Sequence, residues 1–303
     1  MSFNDGSRLD PSRVEDTRSG GGGSRAGMAI GGGGGIIALI LAIIFGPQAV
    51  SGMVNTPAEQ EVTQVQSTDG AAIDSCTSGS AANQRDDCRI VGTLNSLDSY
   101  WVNGATDLRI EGFKAPGARI FANGTNTACG QASSAMGPFY CPGDSKIYID
   151  PTFFNELVRN YGADTGALAQ EYVVAHEYGH HIQNLTGAIQ NSQVGSGSQG
   201  GSVRVELQAD CYAGVWANHA SSTTDKDGKR FMQPLSDADI KSALSAAAAV
   251  GDDHIQKKST GYVNPEGWTH GSSSQRQAWF TTGYRSGDPG VCDTFSAQDL
   301  DHP

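Results

Sequence analysis

A chain of 303 residues has room for one substantial core or two small ones. Its hydrophobic content of 38% is diluted by 40 glycines, and its formal net charge is −12 with no long basic run. That balance argues against nucleic acid as a partner, since phosphate recognition needs clustered Lys and Arg.

Residues 1–25 hold Arg8, Arg13, Arg18 and Arg25 and four acidic residues among Ser and Gly, with few large apolar side chains. They read as a disordered cytoplasmic tail. Residues 26–56 carry no charge, and 36–45 reads I-I-A-L-I-L-A-I-I-F. Those ten residues alone are too short to span a bilayer, which takes about 20 helical residues. With the residues before them they predict a transmembrane anchor over 26–48. Arginines precede it, and Glu59, Glu61 and Asp69 follow. The expected product is a single-pass cell-membrane protein with its catalytic bulk outside the cytoplasm. A cleavable signal peptide is the rival, with Ala49-Val50-Ser51 as a weak cleavage site.

Residues 49–89 are rich in Gln, Thr, Ser, Ala and Asp and read as a stalk. A folded domain is expected over 90–295, with a short tail at 296–303. Residues 144–150 alternate polar and apolar side chains, as a strand with one buried face should. This strand is expected at the sheet edge beside a cleft, where it could bind an extended peptide. Asp150-Pro151 opens a helix to about 161. Longer helices are predicted over 165–185 and 202–220, joined by the flexible G-S-G-S-Q-G-G-S at 195–202. Ser236 with Asp239 starts an alanine-rich helix to about 250, and a last helix runs over 273–283.

Six cysteines stand at 76, 88, 129, 141, 211 and 292, and none forms a C-x-x-C pair. Two short spans and an even count suggest bridges Cys76–Cys88 and Cys129–Cys141, with Cys211–Cys292 as a longer third. Six buried thiols in a cytosolic protein is the alternative.

The strongest chemical signal is H-E-Y-G-H at 176–180. Residues four apart lie one above the other on a helix, so His176 and His180 can grip one ion. Glu177 stands one step round, near a metal-bound water whose pKa zinc lowers toward neutrality. Val173, Val174, Ala175 and Ile182 make the surrounding helix apolar, and so many polar groups in such a helix need a reason. His181 points about 100° away from His180 and reads as structural. A catalytic zinc wants three protein ligands and an open position. Glu206 in V-E-L-Q-A-D is the candidate third ligand, and Asp210, one turn later, would orient a ligand histidine. Asp210 as the ligand is the open alternative.

These residues resemble a family of bacterial, membrane-anchored neutral zinc metallopeptidases with H-E-x-G-H-H followed by E-L-Q-A-D. The similarity extends over about 100–292. It takes in G-P-F-Y-C-P ending at Pro142, I-Y-I-D at Ile147, G-D-D at Gly251, T-H-G-S-S at Thr269 and Q-R-x-x-W-F at Gln275. The resemblance implies an α+β, zincin-like fold: a mainly helical domain with a small sheet over the active-site helix, preceded by one transmembrane helix. It implies Zn2+ on His176, His180 and Glu206, with Glu177 as general base.

His270 is a candidate donor to the developing oxyanion, with Tyr262 behind it; a supporting role for the last helix is the alternative. Arg276 is expected in an Arg–carboxylate pair, and Trp279 and Phe280 in the core. The expected activity is hydrolysis of peptide or protein substrates, cell-wall peptide cross-links among them. A non-catalytic, zinc-stabilised, membrane-anchored binding domain is the rival function.

Overall fold

The protein is described by a computed structural model covering residues 2–18, 73–192 and 195–303. The expected anchor at 26–48 lies outside the described residues, as does most of the expected stalk. No helix among the described residues is long and apolar enough to cross a membrane.

The N-terminal tail expectation is corrected for residues 2–18, which belong to the fold. Phe3, Leu9 and Val14 are buried in the main core. Strand β1 (Val14–Asp16) pairs in parallel with β2 (Gly117–Ile120). A low count of apolar residues did not prevent folding, because these few side chains enter a core built by the rest of the chain. The ring of Phe3 fills a hollow left by Gly92, where a Cβ would lie 2.6 Å from it.

The stalk boundary also moves. Helices α1 (Gly79–Gln84) and α2 (Asp86–Asp107) precede or span residue 90, and Cys76 is bridged to Cys88. Strands β3 (Gly124–Thr127) and β4 (Gly130–Ser133) form a separate antiparallel hairpin. Next come β5 (Phe139–Cys141) and β6 (Lys146–Ile149), an antiparallel pair. The main sheet has the order β1-β2-β6-β5. The predicted strand is therefore β6, but it lies inside the sheet. The edge that packs against the central helix is β5, because the chain reverses at 142–145 and lays β5 on the outer side of β6.

Helix α3 (Phe153–Arg159) is shorter than predicted, and the Asp150 carboxylate accepts the Thr152 N–H just ahead of it. Helix α4 (Ala167–Thr186) is buried on every face from Glu171 to Gln183, which marks it as the centre of the molecule. Gly187, at φ 76°, ends it in the left-handed conformation. The short α5 (Ala188–Asn191) follows, then α6 (Gly201–His219), equally buried and packed on α4. Gly179 of α4 allows that approach: a Cβ there would lie 3.0 Å from the backbone of Ala209.

Helix α7 (Asp237–Ala249) opens with the predicted box, Ser236 and Asp239 capping each other's backbone. Helix α8 (Asp252–Thr260) and α9 (Ser273–Ser286) complete the domain. Residues 296–303 are not a free tail: Leu300 is fully buried, and its carbonyl accepts the Trp279 indole N–H. The result is a mixed α+β fold, mainly helical with small sheets. All three expected disulfides are present: Cys76–Cys88, Cys129–Cys141 and Cys211–Cys292.

Candidate metal centre

Helix α4 presents His176 and His180 one turn apart, their ring centroids 4.7 Å from one another. Glu206 comes from α6 across the helix interface. One donor atom from each of the three lies within 4.8 Å of the others, and all three residues are buried.

The outer nitrogens fix how these rings face. His176 Nδ1 donates to the Asp210 carboxylate at 2.8 Å. His180 Nδ1 donates to Gln183 Oε1 at 2.8 Å, and Gln183 spends its own N–H groups on Val205 O and Gln208 Oε1. Gln208 in turn donates to Cys292 O at 2.7 Å. Both Nε2 atoms are thereby turned toward Glu206, and with both rings neutral they would present lone pairs to it. His176 Nε2 lies 3.2 Å from Glu206 Oε2, and His180 Nε2 lies 3.7 Å from Oε1.

Acceptors facing acceptors inside a core repel unless a positive charge stands between them. The donor set thus fits a divalent cation bound by two imidazoles and a carboxylate. The protein's own groups place that positive charge on a ring: against burial, Asp210 and Glu206 push His176 up to about 10, a proton that a bound cation would displace. Burial, opposed by Glu206 and aided by the charge on His176, lowers the His180 ring to about 4. Burial works against ionising Glu206, yet His180, His270 and His176 hold its carboxylate well below the usual range.

Asp210 bonds the outer nitrogen of His176 and is not among the three residues of the donor cluster. It is fully buried and also receives Nε and Nη2 of Arg276. Arg276 therefore makes the expected carboxylate pair, and through it braces His176. Trp279 and Phe280 are core residues, with Phe280 edge-on to Tyr172. Tyr172, missed in the sequence, donates to Asp210 one turn before His176. Its four-residue spacing from His176 was the available signal.

Glu177 is buried, and burial pushes its carboxyl up to about 7, with the backbone N–H of Tyr140 on β5 opposing that rise. His181 is turned away from the centre: its Nε2 donates to Lys114 O, and the Tyr140 hydroxyl donates to its Nδ1.

His270 is buried and close enough for its charge to act on Glu206. Tyr262 does not stand behind it, being 71% exposed. That place belongs to Asp252 at the start of α8. One of its carboxylate oxygens accepts the backbone N–H groups of Thr269, His270 and Gly271, and the other lies 3.4 Å from His270 Nδ1. A left-handed Gly271, at φ 89°, lets the loop wrap around that carboxylate.

Such an arrangement defines a protein with a buried His–His–Glu group, set between two helices, that could hold a metal. The chain belongs to the family described as "Putative neutral zinc metallopeptidase", whose model matches residues 3–295. The match begins well before the region of resemblance read from the sequence. Among relatives, the protein Rv2575 of Mycobacterium tuberculosis strain H37Rv is 52% identical over 233 residues, covering 76% of this chain and 78% of its own. YpfJ of Escherichia coli K12 is 36% identical over 302 residues, covering 95% of this chain and 97% of its own. Both carry the designation "Uncharacterized protein". No solved structure matches.

Proposed function

We propose that this protein is a zinc-dependent peptidase of zincin-like architecture, acting on peptide or protein substrates outside the cytoplasm. The observation that carries this reading is the pair of imidazole Nε2 atoms turned onto Glu206 while both Nδ1 atoms are held elsewhere. His176, His180 and Glu206 would hold the zinc. When bound there, zinc supplies Lewis acidity, polarising a carbonyl and acidifying water.

The protein's own residues do the rest. Glu177 accepts the proton of the attacking water and passes it to the leaving amine. Its carboxyl is pushed up to about 7 by burial, which suits a group that must both take and give a proton. His270, held by Asp252, donates to the oxygen on which charge develops. Asp210 and Arg276 keep His176 in register. Strand β5 is an edge of the main sheet among the described residues and stands beside Glu177, where it would take an extended substrate by backbone hydrogen bonds. Cell-wall peptide cross-links belong to the same substrate class. Three disulfides support an oxidising compartment.

The test uses the full chain, with zinc counted and cleavage of a peptide library followed with and without chelator. Glu177→Gln is expected to keep zinc and lose at least a hundredfold in turnover, within the range typical of general-base catalysis. Bound zinc with no cleavage, and a Glu177→Gln variant equal to wild type, would instead favour a zinc-stabilised binding domain.

A further inference from the structure

We infer that residues 2–18 and the metal-site domain stand on the same side of any membrane the chain enters. The single crossing expected from the sequence would place them on opposite sides, separated by a hydrocarbon core of about 30 Å. The fold requires them to be in contact.

That contact is extensive and internal. Phe3, Leu9 and Val14 share one core with α4 and α6. β1 matches β2 over three residue pairs, Val14 with Ala118, Glu15 with Arg119 and Asp16 with Ile120. The Asn83 side chain grips both the N–H and the carbonyl of Phe3. Arg13 pairs with Asp98 at 2.5 Å, and Asp98 also accepts the hydroxyl of Tyr178, the neighbour of Glu177 on α4. The N-terminal segment is thus tied to the helix that carries the metal donors.

The charges tell the same story. Three of the four arginines expected to hold the N-terminal flank in the cytoplasm are matched by carboxylates of the folded body. Arg8 pairs with Asp227, Arg13 with Asp98, and Arg18 with Asp16 and Asp87. Nor is there enough apolar sequence between the flanks to cross and return. Two spans take about 40 apolar residues, whereas the charge-free stretch covers only 26–56.

All six native cysteines are paired, so a single introduced thiol reports alone. Ser12→Cys and Ser259→Cys, both exposed positions, are to be made separately in the full membrane-bound chain and treated with an impermeant maleimide, before and after permeabilisation. The expected result is equal behaviour at both positions: both labelled in intact cells, or both protected until the membrane is opened. One labelled and one protected would overturn the proposal. A second variant, Glu15→Cys with Arg119→Cys, is expected to cross-link β1 to β2 under mild oxidation in the same membranes. A chain that stays uncross-linked there would overturn it too.

Discussion

Glu171 shows how much a single buried group can report. Its carboxyl is fully buried on α4, and neither oxygen has a hydrogen-bond partner among the described residues. Burial pushes its pKa up to about 7 from an ordinary 4.5. The folded state therefore favours the protonated form, so stability is fullest below about 4.5 and falls as pH rises to about 7. Glu171→Gln is expected to raise the melting temperature at pH 8, by a free energy on the order of 2 kcal/mol, and to change little at pH 4. Thermal unfolding at both pH values checks it. His270 supplies a second prediction. His270→Ala is expected to cut turnover at least tenfold with zinc still stoichiometric, and Asp252→Asn to lower kcat in the same direction without releasing metal. Steady-state kinetics beside metal analysis separates these from misfolding. The two histidines of the group that could hold a metal were legible at this scale because their chemistry is written in a four-residue spacing. Asp252 was not, since its role depends on a loop that returns 18 residues later to lay three N–H groups on it.

At the scale of elements, the helix pair α4 and α6 sets the distance between the two histidines and Glu206. Gly179→Ala would press a methyl group to within 3.0 Å of the Ala209 backbone. The helices would have to part, at a cost of about 1–3 kcal/mol, and zinc would bind more weakly. Denaturant unfolding and a competitive zinc titration are the measurements. Helices α4, α6, α7 and α9 could be read from caps and apolar runs, because those signals are local. Helix α2 also carried one, in the spacing of Ile90, Leu94, Leu97, Trp101 and Ala105, but the polar residues before it suggested a stalk. Strand β1 was out of reach: it is three residues long with one buried side chain. Its place depends on a partner strand that begins about 100 residues later.

For the molecule as a whole, the longest covalent constraint is Cys211–Cys292, which closes a loop of sequence separation 81. Replacing both cysteines by alanine is expected to cost about 4 kcal/mol, since loop closure limits the freedom of the unfolded chain. The placement of this bridge gives it a second effect. Cys292 O is the last acceptor in the line of amides that runs through Gln208 and Gln183 to His180. If the bridge is opened, that line loses its anchorage, both glutamines can turn over, and His180 can move its proton to the nitrogen that should grip the ion. Zinc should then leave for a chelator several-fold faster once the bridge is opened with dithiothreitol, at a temperature where the domain still holds its shape. Oxidation state would thereby set how firmly the protein keeps its metal.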